Sequence, residues 1–321
     1  SIYATLPNSE VVIAHFYTYL LVMPSHSEVG SEPFDQQMDG LFLETRARFR
    51  SFRANAGEVT IGGSVVYFDD NERIELPIHR PQVILFLENP IGDDIEIAST
   101  FADKRGEYVF GNLTASELND GRPRNLYVTV RFENDVLSLT DRRNKLYESR
   151  SEIVRNAPDG ETVIDLLLDQ SDPNRAIGHI FNRIQRVHQF LLDQVGWERA
   201  RPVQVIWPGT GSISFYFPSQ FGEQLVSETI TIAQGPDQWR AITMYHEYGH
   251  AVMTAAYGYN YNVVPKGNYQ GFHRLETVSD PGFAFNEGWA EFVEASADNR
   301  ALNVTAQLNQ ELPNIESNAW W

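Results

Sequence analysis

Cysteine is absent from this chain of 321 residues. That absence excludes disulfides, thiol nucleophiles and thiolate metal sites together, so any bound metal has to be held by His, Asp or Glu. Basic residues are scarce beside acidic ones: 25 Lys and Arg against 43 Asp and Glu leave a formal net charge of −18. A surface of that sign repels phosphate backbones and anionic lipid at long range, which argues against nucleic acid as a partner. Long apolar runs are missing as well. A bilayer span needs about 18 to 20 apolar residues. The nearest stretch, Val11 to Met23, is shorter and interrupted by His15, so it reads as a buried strand or helix and no membrane span is expected.

What is present can fill more than one core, since 42% of the residues are hydrophobic, and a chain of this length suggests two or three domains. It opens on Ser1 with no basic-then-apolar signal segment, which fits a processed product, secreted or held in the cell envelope. The triplets Asn112-Leu113-Thr114 and Asn303-Val304-Thr305 are short enough to arise by chance. Nothing in the composition speaks to oligomeric state.

Residues 1–56 contain "EVVIAHFYTYLLVMP" and "LFLETRARFRSFRAN", each readable as more than one kind of element, and are left without an assignment. From 57 to 140 the chain reads as short strands separated by Gly, Pro, Asn and Asp clusters: "EVTIGGSVVYFDD", "RPQVILFLEN", "IEIAST", "GEYVFGN" and "LYVTVRF". That spacing predicts a β-sandwich. Residues 141–170 read as linker or strand. At "SDPNRAIGHIFNRIQRVHQFLLDQVG" the period changes: Ala176, Ile177, Ile180, Phe181, Ile184, Val187 and Leu191 recur at helical spacing. Ser171 and Asp172 are the capping candidates, with Pro173 in the first turn. The strand-like runs "PVQVIW", "SISFYF" and "ETITIA" follow, and a second helix begins after Gly235 and Pro236. The fold class expected is α+β and multidomain.

That second helix carries "MYHEYGHAV". Histidines at i and i+4 lie on one helix face about 6 Å apart along the axis, so His246 and His250 can reach one ion. Glu247 projects beside such an ion rather than onto it, where a base takes a proton from water. Two ligands do not hold a catalytic zinc; a third is needed. A metzincin would place a histidine where this chain has Ala256, which excludes that subclass. A better source is "PGFAFNEGWAEFVEASA", where Glu287 and Glu291 share one helix face. H-E-x-x-H also occurs on ordinary solvated helices, and the second acidic helix is what separates the two readings. The acidic turn at Asp69, Asp70 and Asn71 could suggest calcium, but a turn between strands explains it more simply. His15, His26, His79, His179 and His188 are assigned no role.

"HEYGH" followed by "NEGWAE" resembles the gluzincin metallopeptidases, the clan that includes the thermolysin-like proteases and the zinc aminopeptidases. The resemblance covers roughly residues 200 to 300. It implies a zincin-like domain over 171–321, with Zn2+ bound by His246, His250 and Glu287 and with Glu247 as general base. It also implies that Glu291 is a carboxylate orienting a ligand histidine, with Asn286 preceding the ligand glutamate. The segment 251–286 is longer than in familiar members, and the aminopeptidases' G-x-M-E-N motif is missing. "ETITIA", 228–233, is placed much as the gluzincins' sheet edge is. For the oxyanion donor, Tyr257, Tyr259, Tyr261, Tyr269 and His273 all fall in the loop between the motifs, and His273 and Tyr269 are preferred because they lie nearer the second motif. The strands of 57–140 separately resemble transthyretin-like or carboxypeptidase-regulatory-like modules, through "GSVVYFDD", "RPQVILF" and "STFADKRGEYVFGN".

The function these readings imply is zinc-dependent hydrolysis of internal peptide bonds in a peptide or protein substrate. Two other classes fit the same residues. One is a catalytically silent zincin-domain protein serving adhesion or carbohydrate binding; the other is a zinc hydrolase of another amide or an epoxide.

Overall fold

The computed structural model describes residues 58–114, 118, 124–266 and 280–298. Residues 1–56, Tyr269, His273 and the triplet at Asn303 lie outside the described residues. The fold is mixed α+β, with several sheets and, among the described residues, three α-helices.

The long strand β1 (Glu58–Asp69) is the spine of the first sheet. Its β-branched and aromatic run "SVVYF" suits a pleated, two-sided position. Along one edge it pairs antiparallel with β5 (Glu107–Thr114) and then β2 (Ile74–Pro77); along the other it pairs parallel with β9 (Gly160–Val163) and then β10 (Leu166–Leu168). Gly62 faces Val163 and Val65 faces Leu166, so β9 and β10 keep one register across a break. At that break the Asp165 carboxylate accepts the Ser64 N–H at 2.7 Å and its hydroxyl at 2.8 Å. The second sheet, antiparallel throughout, runs β4 (Ile95–Phe101), β3 (Gln82–Leu87), β6 (Leu126–Arg131), β8 (Glu148–Arg150). Val59, Ile61 and Val65 of the first sheet share one buried cluster with Val83, Leu85, Val128 and Val130 of the second. Strands β8 to β10 thus come from the 141–170 stretch, and β7 (Leu137–Thr140) leaves the 57–140 stretch for a third sheet.

That third sheet is ordered β12 (Phe215–Phe221), β13 (Gln224–Thr231), β11 (Val203–Ile206), β7. A tight turn through Gly222, at φ +62°, joins β12 to β13, a positive φ that glycine adopts without a steric penalty. "ETITIA", placed in sequence much as the gluzincins' sheet edge is, does not form the edge here. Its strand, β13, is paired on both sides, and β12, folded back by the hairpin, is the outer strand.

Helix α1 (Arg175–Val195) buries every apolar position expected of it, from Ala176 to Leu191. Its start differs from the expectation. Asn174 is the N-cap residue with no side-chain cap bond, while the Asp172 carboxylate accepts the Asn174 N–H one turn earlier, at 2.7 Å. The helix also buries His179, Asn182, Arg183, Gln185, Arg186 and His188, because it touches β1 and β7 as well as the two later helices, α2 (Ala241–Ala256) and α3 (Pro281–Ala297). Several of its polar side chains bond inside the protein. His179 Nδ1 lies 2.8 Å from Asp69, Arg183 reaches Asp69 at 3.1 Å and Glu72 at 2.7 Å, and Asn182 accepts the His79 N–H at 3.2 Å. A single buried cluster runs through the first two sheets, α1, the third sheet and α2. Among the described residues no helix is long and apolar enough to cross a membrane.

Candidate metal centre

Helix α2 is internal. Met244, Tyr245, Tyr248, Ala251, Val252 and Met253 are buried on it, which leaves His246 and His250 on the stripe that faces α3. Helix α3 starts where sequence rules place a start: the Asp280 carboxylate accepts the Gly282 N–H at 2.9 Å and Pro281 occupies the first turn. The two helices approach closely because Gly249 has no side chain. A Cβ there would sit 2.9 Å from the Ala290 Cα. Trp289 then donates its indole N–H to the Gly249 carbonyl at 3.0 Å, pinning the contact between the two histidines.

That approach brings three donors together. Glu287 Oε2 lies 3.3 Å from His246 Nε2 and 3.5 Å from His250 Nε2, and each pair of ligand atoms in this group is within 4.8 Å. Ligands about 2.0 to 2.1 Å from a tetrahedral ion are separated by about 3.3 to 3.4 Å from one another. The observed separations have that scale, and two nitrogens with one carboxylate oxygen form a donor set that divalent zinc accepts. The outward nitrogens also face acceptors. His250 Nδ1 is 2.6 Å from Asn286 Oδ1, an acceptor that engages Nδ1 and leaves Nε2 as the nitrogen turned to Glu287. His246 Nδ1 faces Glu294 Oε2 at 3.6 Å and Glu291 Oε1 at 3.8 Å.

Glu247 is buried, at 7% exposure, and is not one of the three converging donors. Burial pushes its carboxyl above the usual range, against the pull of His246 and His250, and it accepts a backbone N–H from Tyr216 on β12. Burial also opposes charge on His246, yet Glu287, Glu294 and Glu247 together hold its imidazole well above its ordinary value. Glu287 is held far below the carboxylate range; burial opposes this, and hydrogen bonds from the two imidazoles outweigh it.

The structure therefore brings together His246, His250, Glu287, Glu247, Asn286 and Glu291. Two further residues belong with them. Glu294 was legible in principle, because Glu287, Glu291 and Glu294 fall at i, i+4 and i+7 on one helix face. Tyr216 had no local signal. The hairpin carries it in: its ring lies 6.2 Å from that of His250, nearly parallel at 21°, and its hydroxyl donates to Glu228 at 2.8 Å. Glu228 is in turn paired in the interior with Arg199, which donates to the Ala251 carbonyl at 2.6 Å. Of the loop tyrosines, Tyr257 packs with Met253 and Val264, and the Tyr259 hydroxyl accepts the Ala200 N–H at 2.9 Å. Tyr261 is the one whose phenol is raised by burial and by the charge of Glu287.

The acidic turn does not present a comparable group. Asp69 serves His179 and Arg183, and Asp70 takes the Arg175 guanidinium through two bonds, at 3.1 and 2.9 Å. His79, His179 and His188 are all buried.

No family model matches the sequence, and no curated protein matches it. Among solved structures, a 9R-lipoxygenase from Cyanothece PCC8801 is similar over 57% of this chain and 29% of its own, with 11% identity and a TM-score of 0.26. An (S)-allantoin synthase is similar over 40% of this chain and 45% of its own, with 12% identity and a TM-score of 0.23. The chain thus spans less than half the length of either, and similarity at this level carries no argument about fold or activity.

Proposed function

We propose that the chain is a zinc-dependent metallopeptidase of gluzincin type, hydrolysing peptide bonds within a peptide or protein substrate. The observation that carries this reading is the convergence of His246, His250 and Glu287 at 3.3 and 3.5 Å, with a buried fourth residue, Glu247, beside them. His246, His250 and Glu287 would hold the ion. Zinc, when bound, supplies Lewis acidity that makes water a nucleophile near neutral pH and polarises a carbonyl.

Every other part falls to side chains. Glu247, with its raised carboxyl, takes the proton from the attacking water and returns it to the leaving amine. Tyr216 N–H holds the Glu247 carboxylate in place from the sheet edge. Asn286 fixes the His250 tautomer. Strand β12, the outer strand beside the site, offers its outward backbone groups to an extended substrate, which adds as a further strand with little demand on sequence.

The test is metal content of the purified chain, followed by cleavage of a denatured protein with and without a zinc chelator. Glu247→Gln is expected to keep zinc and to lose turnover by about 10²- to 10⁴-fold. A variant that keeps both zinc and turnover refutes the assigned base. A wild-type chain that binds zinc and cleaves nothing points to a silent zincin domain.

A further inference from the structure

We infer that Glu294, one turn beyond the residues that the resemblance assigns, is the positioning residue for His246: its carboxylate accepts the Nδ1 proton and directs Nε2 at the ion. The inference rests on the metal-binding reading above and deepens it. His246 has two ring nitrogens with distinct tasks. Nε2 faces Glu287 at 3.3 Å, so only Nδ1 remains to fix the ring's tautomer and tilt. A carboxylate on that nitrogen orients the ring and makes the ligand nitrogen more basic.

Two carboxylates compete for the post. Glu291 Oε1 lies 3.8 Å from Nδ1 with its side chain 47% exposed, while Glu294 Oε2 lies 3.6 Å away with its side chain 11% exposed. Water and salt screen the exposed partner and leave the buried one nearly at full strength. Both distances exceed a formed hydrogen bond. The buried carboxylate needs the smaller movement to make one, and it loses less side-chain freedom in doing so, because packing already confines it. The two ligand histidines are then held differently, His250 by the neutral amide oxygen of Asn286 at 2.6 Å and His246 by a charged carboxylate.

The same atoms admit a rival role, because His246, Glu291 and Glu294 also form a group of possible ligands. A second ion there would require His246 to bridge two metals as an imidazolate. Stoichiometry separates the two roles.

The experiment titrates Zn2+ into the full chain against a chromophoric chelator, for wild type and for Glu294→Gln, Glu294→Asp and Glu291→Gln. One ion per chain is expected. Glu294→Gln should weaken binding by about 10- to 100-fold, Glu294→Asp should recover part of the loss, and Glu291→Gln should stay within about threefold of wild type. In proton NMR of the zinc-loaded chain, the His246 Nδ1–H resonance should move in Glu294→Gln while that of His250 stays, a pattern that general loosening of α3 would not give. Unchanged affinity in Glu294→Gln, the larger loss in Glu291→Gln, or two ions per chain each overturns the assignment. A wild-type chain with no zinc affinity overturns the metal reading itself and is distinguishable from all three.

Discussion

Two buried clusters in this molecule share a composition of histidine and carboxylate and differ in what balances the acids. Where α1 meets the β1–β2 turn, Asp69 is fully buried and bonded to His179 and Arg183, and Asp70 is clasped by Arg175. Between α2 and α3, Glu287 faces two imidazoles, and Glu291 and Glu294 face the far side of one of them. A guanidinium stays charged at any accessible pH and neutralises its acid permanently. An imidazole is neutral when it acts as a ligand, so under the proposed reading the balance of Glu247, Glu287, Glu291 and Glu294 falls to a divalent cation. Arginine beside a buried acid thus marks an internal tie even where an imidazole shares the acid, as His179 does at Asp69, and two imidazoles converging on one acid mark a candidate for ion binding.

The strongest way to break this comparison is to remove one acid from the arginine-balanced cluster. Asp69→Ala leaves Arg183 and His179 buried without their shared partner, and breaking such a pair costs about 3 to 5 kcal/mol. Chemical denaturation should show that loss, while zinc affinity should stay within about threefold of wild type. A parallel collapse of zinc affinity would mean that α1 transmits the damage to α2 and that the clusters are not separate.

Acid sharpens the same contrast. His188 lies on α1 with Nδ1 2.9 Å from the Tyr248 hydroxyl of α2, and burial draws its pKa down to about 4 from 6.5, against the pull of Asp135. The unfolded chain takes up this proton near pH 6.5 and the folded chain only near pH 4. Between those values the unfolded state binds more protons, so stability falls as pH falls, by on the order of 3 kcal/mol over the window. Urea denaturation at pH 7 and pH 4.5 should show a smaller drop for His188→Gln than for wild type. Asp69 is drawn below the carboxylate range, with His179 and Arg183 outweighing its burial. Its contribution, present above the unfolded carboxylate pKa, is lost only at more acid pH than this.

Much of this was legible in the residues, for physical reasons that also say where reading stops. Helix α1 shows in the 3.6-residue recurrence of Ala176 to Leu191. The pair His246 and His250 and the pair Glu287 and Glu291 show in two local spacings, because helical geometry converts spacing directly into a shared face, while the choice of Glu287 as ligand and the place of Asn286 come only from the resemblance. The sheet edge was not legible because "SISFYF" and "ETITIA" are equally strand-like, and which of two strands lies outermost depends on a hairpin folding back, not on either run. Tyr216 was invisible for the same reason. The polar half of α1 was passed over because Asn182, Arg183 and Gln185 resemble a solvated face until β1 is laid against it. Glu294 lay in plain sight one turn beyond the motif, outside the pattern that the resemblance supplies.

The smallest perturbation tests whether the metal-binding geometry comes from the helix approach itself. Gly249 lies between the two histidines on α2, and a methyl group added there would meet the Ala290 Cα at 2.9 Å and the Val293 Cβ at 3.3 Å. The first of these is backbone and cannot rotate aside, so α3 must move outward by a few tenths of an ångström. Overpacking of this kind costs about 1 to 3 kcal/mol, partly offset by the roughly 0.5 to 1 kcal/mol that alanine gains over glycine inside a helix. The net loss of stability in Gly249→Ala should therefore be modest. Its effect on zinc should be proportionally larger, because the same movement carries Glu287 away from both imidazoles, and the Asp69 cluster, which touches neither helix contact, should be unaltered. Zinc affinity equal to wild type in this variant would show that the ligands hold their positions without the close approach of α2 and α3, and the contrast between a cluster set by ion pairs and one set by helix packing would fail.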